Sequence, residues 1–143
     1  MSHVTNIDIE INNLTALESA IQEMGGVFVR NKTNYTWYGR HVGDYPLPAG
    51  FTKEMLGKCE HAIALKGTGY EIGVVRNPTK PSGYTLLYDF WGPGEKLRQH
   101  FGDGLTKLKQ MYGVHAATAA AKKKGYLVTR KQVGDTIKLQ IAV

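Results

Sequence analysis

Cysteine is almost missing from this chain: Cys59 stands alone among 143 residues. No intramolecular disulfide can form, and a four-cysteine zinc site is excluded. Cys59 reads as a small, partly buried residue rather than a nucleophile. No apolar run approaches the roughly 20 residues needed to cross a bilayer. The opening Met1-Ser2-His3-Val4-Thr5 lacks a basic stretch and an apolar core, so no secretory leader is expected. A reducing, cytoplasmic setting follows from these absences as the expectation, the host cytoplasm if the protein is viral, with no membrane partner.

Recognisable catalytic signatures are missing too. The five histidines are scattered, and none forms His-Glu-x-x-His. There is no Gly-x-Ser-x-Gly elbow and no phosphate loop ending in Gly-Lys-Ser/Thr. A two-histidine phosphoesterase needs a pair of His-x-Thr/Ser motifs flanking a phosphate as acid and base. His3-Val4-Thr5 matches once, and His41, His61, His100 and His115 complete no second copy. Gly92-Pro93-Gly94 precedes a helix and can meet a phosphate, but reads more simply as a turn. Neither a cofactor nor a metal is expected.

What the chain does have is one-sided positive charge. Between Glu95 and Lys131 lie nine Lys/Arg and two acids, a balance of +7; the rest of the chain holds nine basic and ten acidic side chains, giving −1 and the overall +6. A basic helix followed by a basic strand favours anionic partners such as nucleotides, nucleic acid or acidic surfaces.

The periodicities predict one α+β domain over residues 1–143: a mostly antiparallel sheet with two or three helices packed on one face. Thr5, Ile7, Ile9 and Ile11 alternate with Val4, Asn6, Asp8 and Glu10 as a half-buried strand does. Leu14, Leu17, Ile21 and Met24 recur at helical spacing; Asn12 and Asn13 offer a cap, Thr15 with Glu18 a capping box one turn further in, and Gly25-Gly26 the stop. Val27 to Arg30 and Tyr35 to Arg40 read as a second strand, broken at Asn31-Lys32. Gly43 to Gly57 reads as a long loop with a helical turn around Thr52 to Lys58, and long ordered loops are often functional. Ile63–Leu65, Tyr70–Arg76 and Tyr84–Trp91 read as further strands. A short helix holds Leu97 and Phe101. Asp103 can cap a second, carrying Leu105, Leu108, Tyr112, His115 and Ala119 on one face and ending near Gly125. Tyr126–Val133, a turn at Gly134-Asp135 and Thr136–Val143 close the chain, with Ile137, Leu139, Ile141 and Val143 pointing one way.

Three stretches carry a resemblance. They are Met1-Ser2-His3 with the Ile-rich strand and Leu14-Thr15-Ala16-Leu17; Gly69-Tyr70-Glu71-Ile72-Gly73 with Tyr88-Asp89-Phe90-Trp91; and Gln110-Met111-Tyr112-Gly113-Val114-His115 leading to Gly125-Tyr126. Together they resemble a family of small proteins known from red-algal plastid genomes and cyanobacteria as a conserved hypothetical open reading frame, with relatives in tailed phages. The resemblance implies the fold and a plastid, cyanobacterial or viral relative; it carries no activity. The stretch from about Tyr35 to Lys58 is longer than that pattern, so a function particular to this chain is expected there.

Tyr35, Trp37, Tyr38, Arg40, His41 and Tyr45 crowd into eleven residues of that stretch. Aromatic faces stack on bases and Arg clamps phosphate; alternate members equally suit the core of a strand. Tyr88, Trp91 and Tyr112 read as packing. His115 reads as a half-buried helix residue or a ligand contact, and Lys122-Lys123-Lys124 as a solvated helix end that Arg130 and Lys131 reinforce. The expected ligand set is Trp37, Tyr38, Arg40, His41, Arg76, His115, Lys122, Lys123 and Arg130. The expected function is non-enzymatic binding of a phosphate-containing nucleotide, in a viral setting the sequestration of a cyclic-nucleotide immune signal. A sequence-tolerant nucleic-acid binder and a phosphodiesterase with an unfamiliar site are the alternatives. A homo-oligomer is expected, since sites between copies let a small domain enclose a nucleotide.

Overall fold

Period-two alternation in the central strands gives the sheet two unlike faces, and each face takes a different cover. A computed structural model describes the backbone of residues 4–6 and the whole of residues 10–41, 43 and 46–143. The strands β1 (Val4–Asn6), β2 (Val27–Arg30), β3 (His61–Ala64), β4 (Ile72–Arg76) and β5 (Tyr84–Asp89) form one antiparallel sheet in the order β1-β5-β4-β3-β2. Of the expected first strand, Ile7, Asp8 and Ile9 lie outside the described residues, and Ile11 makes an isolated bridge to Tyr84.

The first face is apolar and carries the helices. Register pairs Phe28 with Ile63, Ile63 with Ile72 and Val74 with Leu86, so these side chains form one continuous surface. Helices α1 (Leu14–Glu23), α2 (Glu95–Phe101) and α3 (Thr106–Lys123) close over it with Leu17, Ile21, Leu97, Phe101 and Leu108, all buried. The chain is thus an α+β domain with its helices on one face of the main sheet. Asn13 caps α1 by accepting from Ala16 N at 3.0 Å, so no capping box forms at Thr15 and Glu18. Gly25 (φ +81°) lets Gly26 N donate to Ile21 O and end the helix. Asp103 does not cap α3. The chain enters α3 through a 3-10 turn, Asp103–Leu105, with Leu105 itself left-handed (φ +55°) and fully buried, while Asp103 Oδ1 lies 3.6 Å from Arg98.

The stripe Leu105, Leu108 and Tyr112 is buried as expected, whereas Ala119 is exposed. Val114 and Ala121 belong to neither apolar cluster. Beyond the main sheet, β6 (Leu127–Val133) and β7 (Thr136–Ala142) form a separate two-stranded ribbon packed against α3.

The second face of the main sheet carries Ala62, Val75 and Leu87, and the long connection between β2 and β3 lies down on it with Tyr35, Phe51 and Leu56. Tyr35 to Arg40 is not a strand. Beyond an isolated bridge of Asn34 to Lys58 the chain crosses over the sheet instead of pairing at its edge, with Asn31 left-handed (φ +60°) at the turn. A 3-10 turn at Lys53–Met55 matches the helical turn expected there. The crossing depends on Gly73, since a Cβ at that position would run into the Tyr35 ring. Gly73→Ala is expected to cost roughly 1–3 kcal/mol by overpacking, measured by urea unfolding. Parent-like stability would mean the Tyr35 ring does not lie on Gly73.

Candidate functional site

Two acids stand in otherwise apolar strand surroundings at one end of the second face. Glu71 and Asp89 each lie two residues beyond the paired Gly73 and Leu87, so they end neighbouring strands on the same side. Both are buried, Asp89 completely. A buried carboxylate must have its lone pairs met by donors, and these come from the loop overhead and, at Asp89, also from the chain leaving β5.

Glu71 takes Thr36 N and Thr36 Oγ1 at 3.0 Å and both oxygens meet Lys32 Nζ at 2.7–2.8 Å. Its own N donates to Thr36 O at 2.9 Å. Burial alone would raise this carboxyl, but the hydrogen bonds from Lys32 and Thr36 together outweigh it and hold the group below its ordinary 4.5. Asp89 uses one oxygen for Tyr38 N at 3.2 Å and the other for Trp91 N at 3.1 Å. One enclosed side chain therefore fixes the backbone of two aromatic residues that are 53 positions apart in sequence.

Those two aromatics lie together, Trp91 exposed and Tyr38 half-buried. The Tyr38 and Trp91 rings meet edge to face at 6.1 Å and 76°, Trp91 is 40% exposed, and the Arg40 guanidinium sits 5.9 Å from the centre of the Tyr38 ring. Tyr70 stands near Tyr38 and Asp89, its phenol pushed up by burial and by those neighbours. Immediately after Trp91 the chain turns through a 3-10 segment, Gly92–Gly94, and Gly94 packs so closely on the Asp89 carbonyl that no side chain fits there. The result is a partly open patch of two rings and a guanidinium, supported from beneath by a buried carboxylate.

The expected ligand set divides into separate places. Tyr38 and Arg40 belong to this patch, with His41 half-buried beside them in the chain. Trp37 is a packing residue: it joins the second core, and a Cβ on Gly57 would stand 2.6 Å from its indole Nε1. Tyr45 lies outside the described residues. Arg76 is at the far end of β4, roughly 16 Å away along the strand. It ion-pairs with Glu60 at 3.0 Å and covers the Tyr84 ring at 4.2 Å. His115 and Arg130 are tethers: His115 Nε2 and the Arg130 fork both reach Glu23, at 2.8 Å and 2.7 Å, tying α3 and β6 to α1. Lys122 and Lys123 are exposed at the end of α3.

Trp91, Asp89 and Glu71 are the site residues that the sequence reading missed. The available signal was polarity out of place, an acid interrupting each of two apolar strands. Cys59 is half-buried, donates to Lys32 O, and has its thiol pushed up to about 11 by burial, as an unreactive residue should. Among the described residues no three His, Cys, Asp or Glu gather as metal ligands, and no helix is long and apolar enough to cross a membrane. No family model, curated protein or solved structure matches the chain.

The depressed Glu71 carboxyl sets a pH dependence. A folded-state value below the unfolded one stabilises fully above the unfolded pKa, and that contribution is lost as pH falls through the folded value. The melting-temperature gap between the parent and Glu71→Gln is expected to be constant near neutrality and to narrow below about pH 4.5. A gap that persists undiminished to about pH 3 would mean that Glu71 is not bonded as described.

Proposed function

We propose that this protein is a non-enzymatic binding protein for a nucleotide, with a base stacked on the Tyr38–Trp91 patch and a phosphate on Arg40. The observation that carries the reading is Asp89: a completely buried carboxylate whose two oxygens hold the backbone of both aromatics. Ring surfaces held in advance lose little freedom when a ligand arrives, which is where stacking sites gain affinity. Arg40 adds a cation that the fold leaves exposed beside the ring.

The same accounting favours binding over turnover. General acid–base chemistry needs a carboxyl or imidazole free to exchange a proton at the ligand. Glu71 and Asp89 are already committed to the loop, His61 accepts from Asn31 N at 2.9 Å, and His115 lies against Glu23. His41, half-buried beside the patch, is a single imidazole where acid–base cleavage calls for two such groups. The finer version of the proposal is a viral protein that sequesters a cyclic-nucleotide signal, with a second copy covering the open side of the patch. Sequestration needs affinity and abundance only, which such a site can supply.

Trp91→Ala and Arg40→Ala separate binding from folding, because neither side chain is in the core. Loss of one stacked base is worth roughly 1–3 kcal/mol, and loss of a charge-assisted phosphate contact roughly 1.5–3 kcal/mol. Calorimetry with mononucleotides, cyclic dinucleotides and short single strands is expected to show weakening of that size for both variants at unchanged melting temperature, with the ligand recovered intact. Undiminished affinity in both variants, or accumulation of a hydrolysed product, would refute the proposal.

A further inference from the structure

The C-terminal ribbon presents a second surface, far from Asp89 in sequence and independent of the patch above. Its register places Val128 opposite Ile141, Arg130 opposite Leu139 and Gln132 opposite Ile137 on the face turned to α3. Alternation then turns Thr129, Lys131, Lys138 and Gln140 to the other face, where Lys131 stands directly across from Lys138 and Thr129 across from Gln140. All four are exposed, and no side-chain hydrogen bond or ion pair engages them among the described residues. Like charges directly opposite in a ladder destabilise the pairing, so the fold itself gains nothing from this arrangement. Lysines that serve only to blunt a sheet edge do not need to face one another.

The helix end that feeds the ribbon adds Lys122, Lys123 and Lys124, also exposed and without an ion-pair partner among the described residues. The ribbon is not a loose arm, since Arg130 locks it to Glu23 of α1 through two hydrogen bonds of 2.7 Å. We propose that the outward face of this ribbon docks in the major groove of duplex DNA. Two strands about 4.8 Å apart, with side chains on their edges, match a groove about 12 Å wide, which admits a two-stranded ribbon. The facing lysines meet phosphate or guanine acceptors, and Thr129 and Gln140 carry the hydrogen-bonding groups that read base edges. Duplex RNA has a deep, narrow major groove that side chains cannot read, so it is not the partner this shape fits.

Fluorescence polarisation with a labelled duplex DNA of about twenty base pairs, between about 50 and 200 mM salt, tests this. Lys131→Gln/Lys138→Gln is expected to weaken binding at least tenfold at the lower salt. It should also flatten the log–log salt slope by about 2, the share of two phosphate contacts. Its melting temperature should not fall, because a repulsion has been removed. The arginine pair Lys131→Arg/Lys138→Arg is expected to retain binding, and this variant decides the matter if the glutamine pair melts early. Trp91→Ala is expected to bind duplex as the parent does, which separates this surface from the aromatic patch. Absence of duplex binding by the parent at low salt, an affinity unmoved by the glutamine pair, or equal affinity for duplex RNA would overturn the proposal.

Discussion

The second face of the main sheet is covered by a segment with almost no regular structure, and two buried carboxylates make that possible. An irregular chain laid on an apolar surface leaves backbone N–H groups without ladder partners, and each such group is costly unless it is met. Glu71 and Asp89 meet two of them from below, at Thr36 N and Tyr38 N, and Asp89 also accepts from Trp91 N at the exit of β5. Lys32 supplies the compensating charge at Glu71. With the acids in place the loop has one position, and Tyr35 can settle on Gly73. Without them the segment would keep backbone bonds such as Tyr35 N to Gly57 O and Cys59 N to Thr33 O, but Tyr38 and the Thr36 N–H would be held only by apolar contacts, which are non-directional.

The same constraint links fold to function. The bonds that lay the loop down at Tyr38 also position Trp91, at the exit of β5, beside it. The patch is therefore a product of how the loop is anchored, and its geometry is held by a group that never reaches solvent. Such support from beneath distinguishes a held pair of rings from two aromatics that happen to be exposed. The C-terminal ribbon is secured on a different principle, with Glu23 gathering His115 and Arg130 at the surface. The protein thus carries two anchored exposed surfaces, one aromatic and one cationic.

Most of the elements were legible in the sequence because their signals are local. Helix stripes, the Asn13 cap, the glycine stops and the closing hairpin with its Gly134-Asp135 turn all depend on neighbours within a few positions. The misread parts depend on distant ones. Tyr35 to Arg40 alternates as a strand does, yet its partners are carboxylates just before β4 and at the end of β5 rather than a neighbouring strand. Asp103 has the composition of a cap, but the left-handed Leu105 intervenes. Arg76, His115 and Arg130 belong to the expected ligand set, and each meets an acid contributed from elsewhere that the sequence does not show: Glu60 for the first and Glu23 for the other two. Conversely Trp91 reads as packing because nothing local shows that Asp89 has turned it outward. Burial of a charge is invisible in sequence until its partners are known.

Amide hydrogen exchange at Tyr38 and Trp91, compared between the parent and Asp89→Ala, tests most directly whether one carboxylate organises the patch. In the parent both amides should be protected well beyond their neighbours in the loop. In the variant both should lose protection together, while the amides of Val74 and Leu86 in the sheet centre stay slow. Retention of protection at both positions, or its loss at only one, would contradict the claim that Asp89 holds the two rings as a pair.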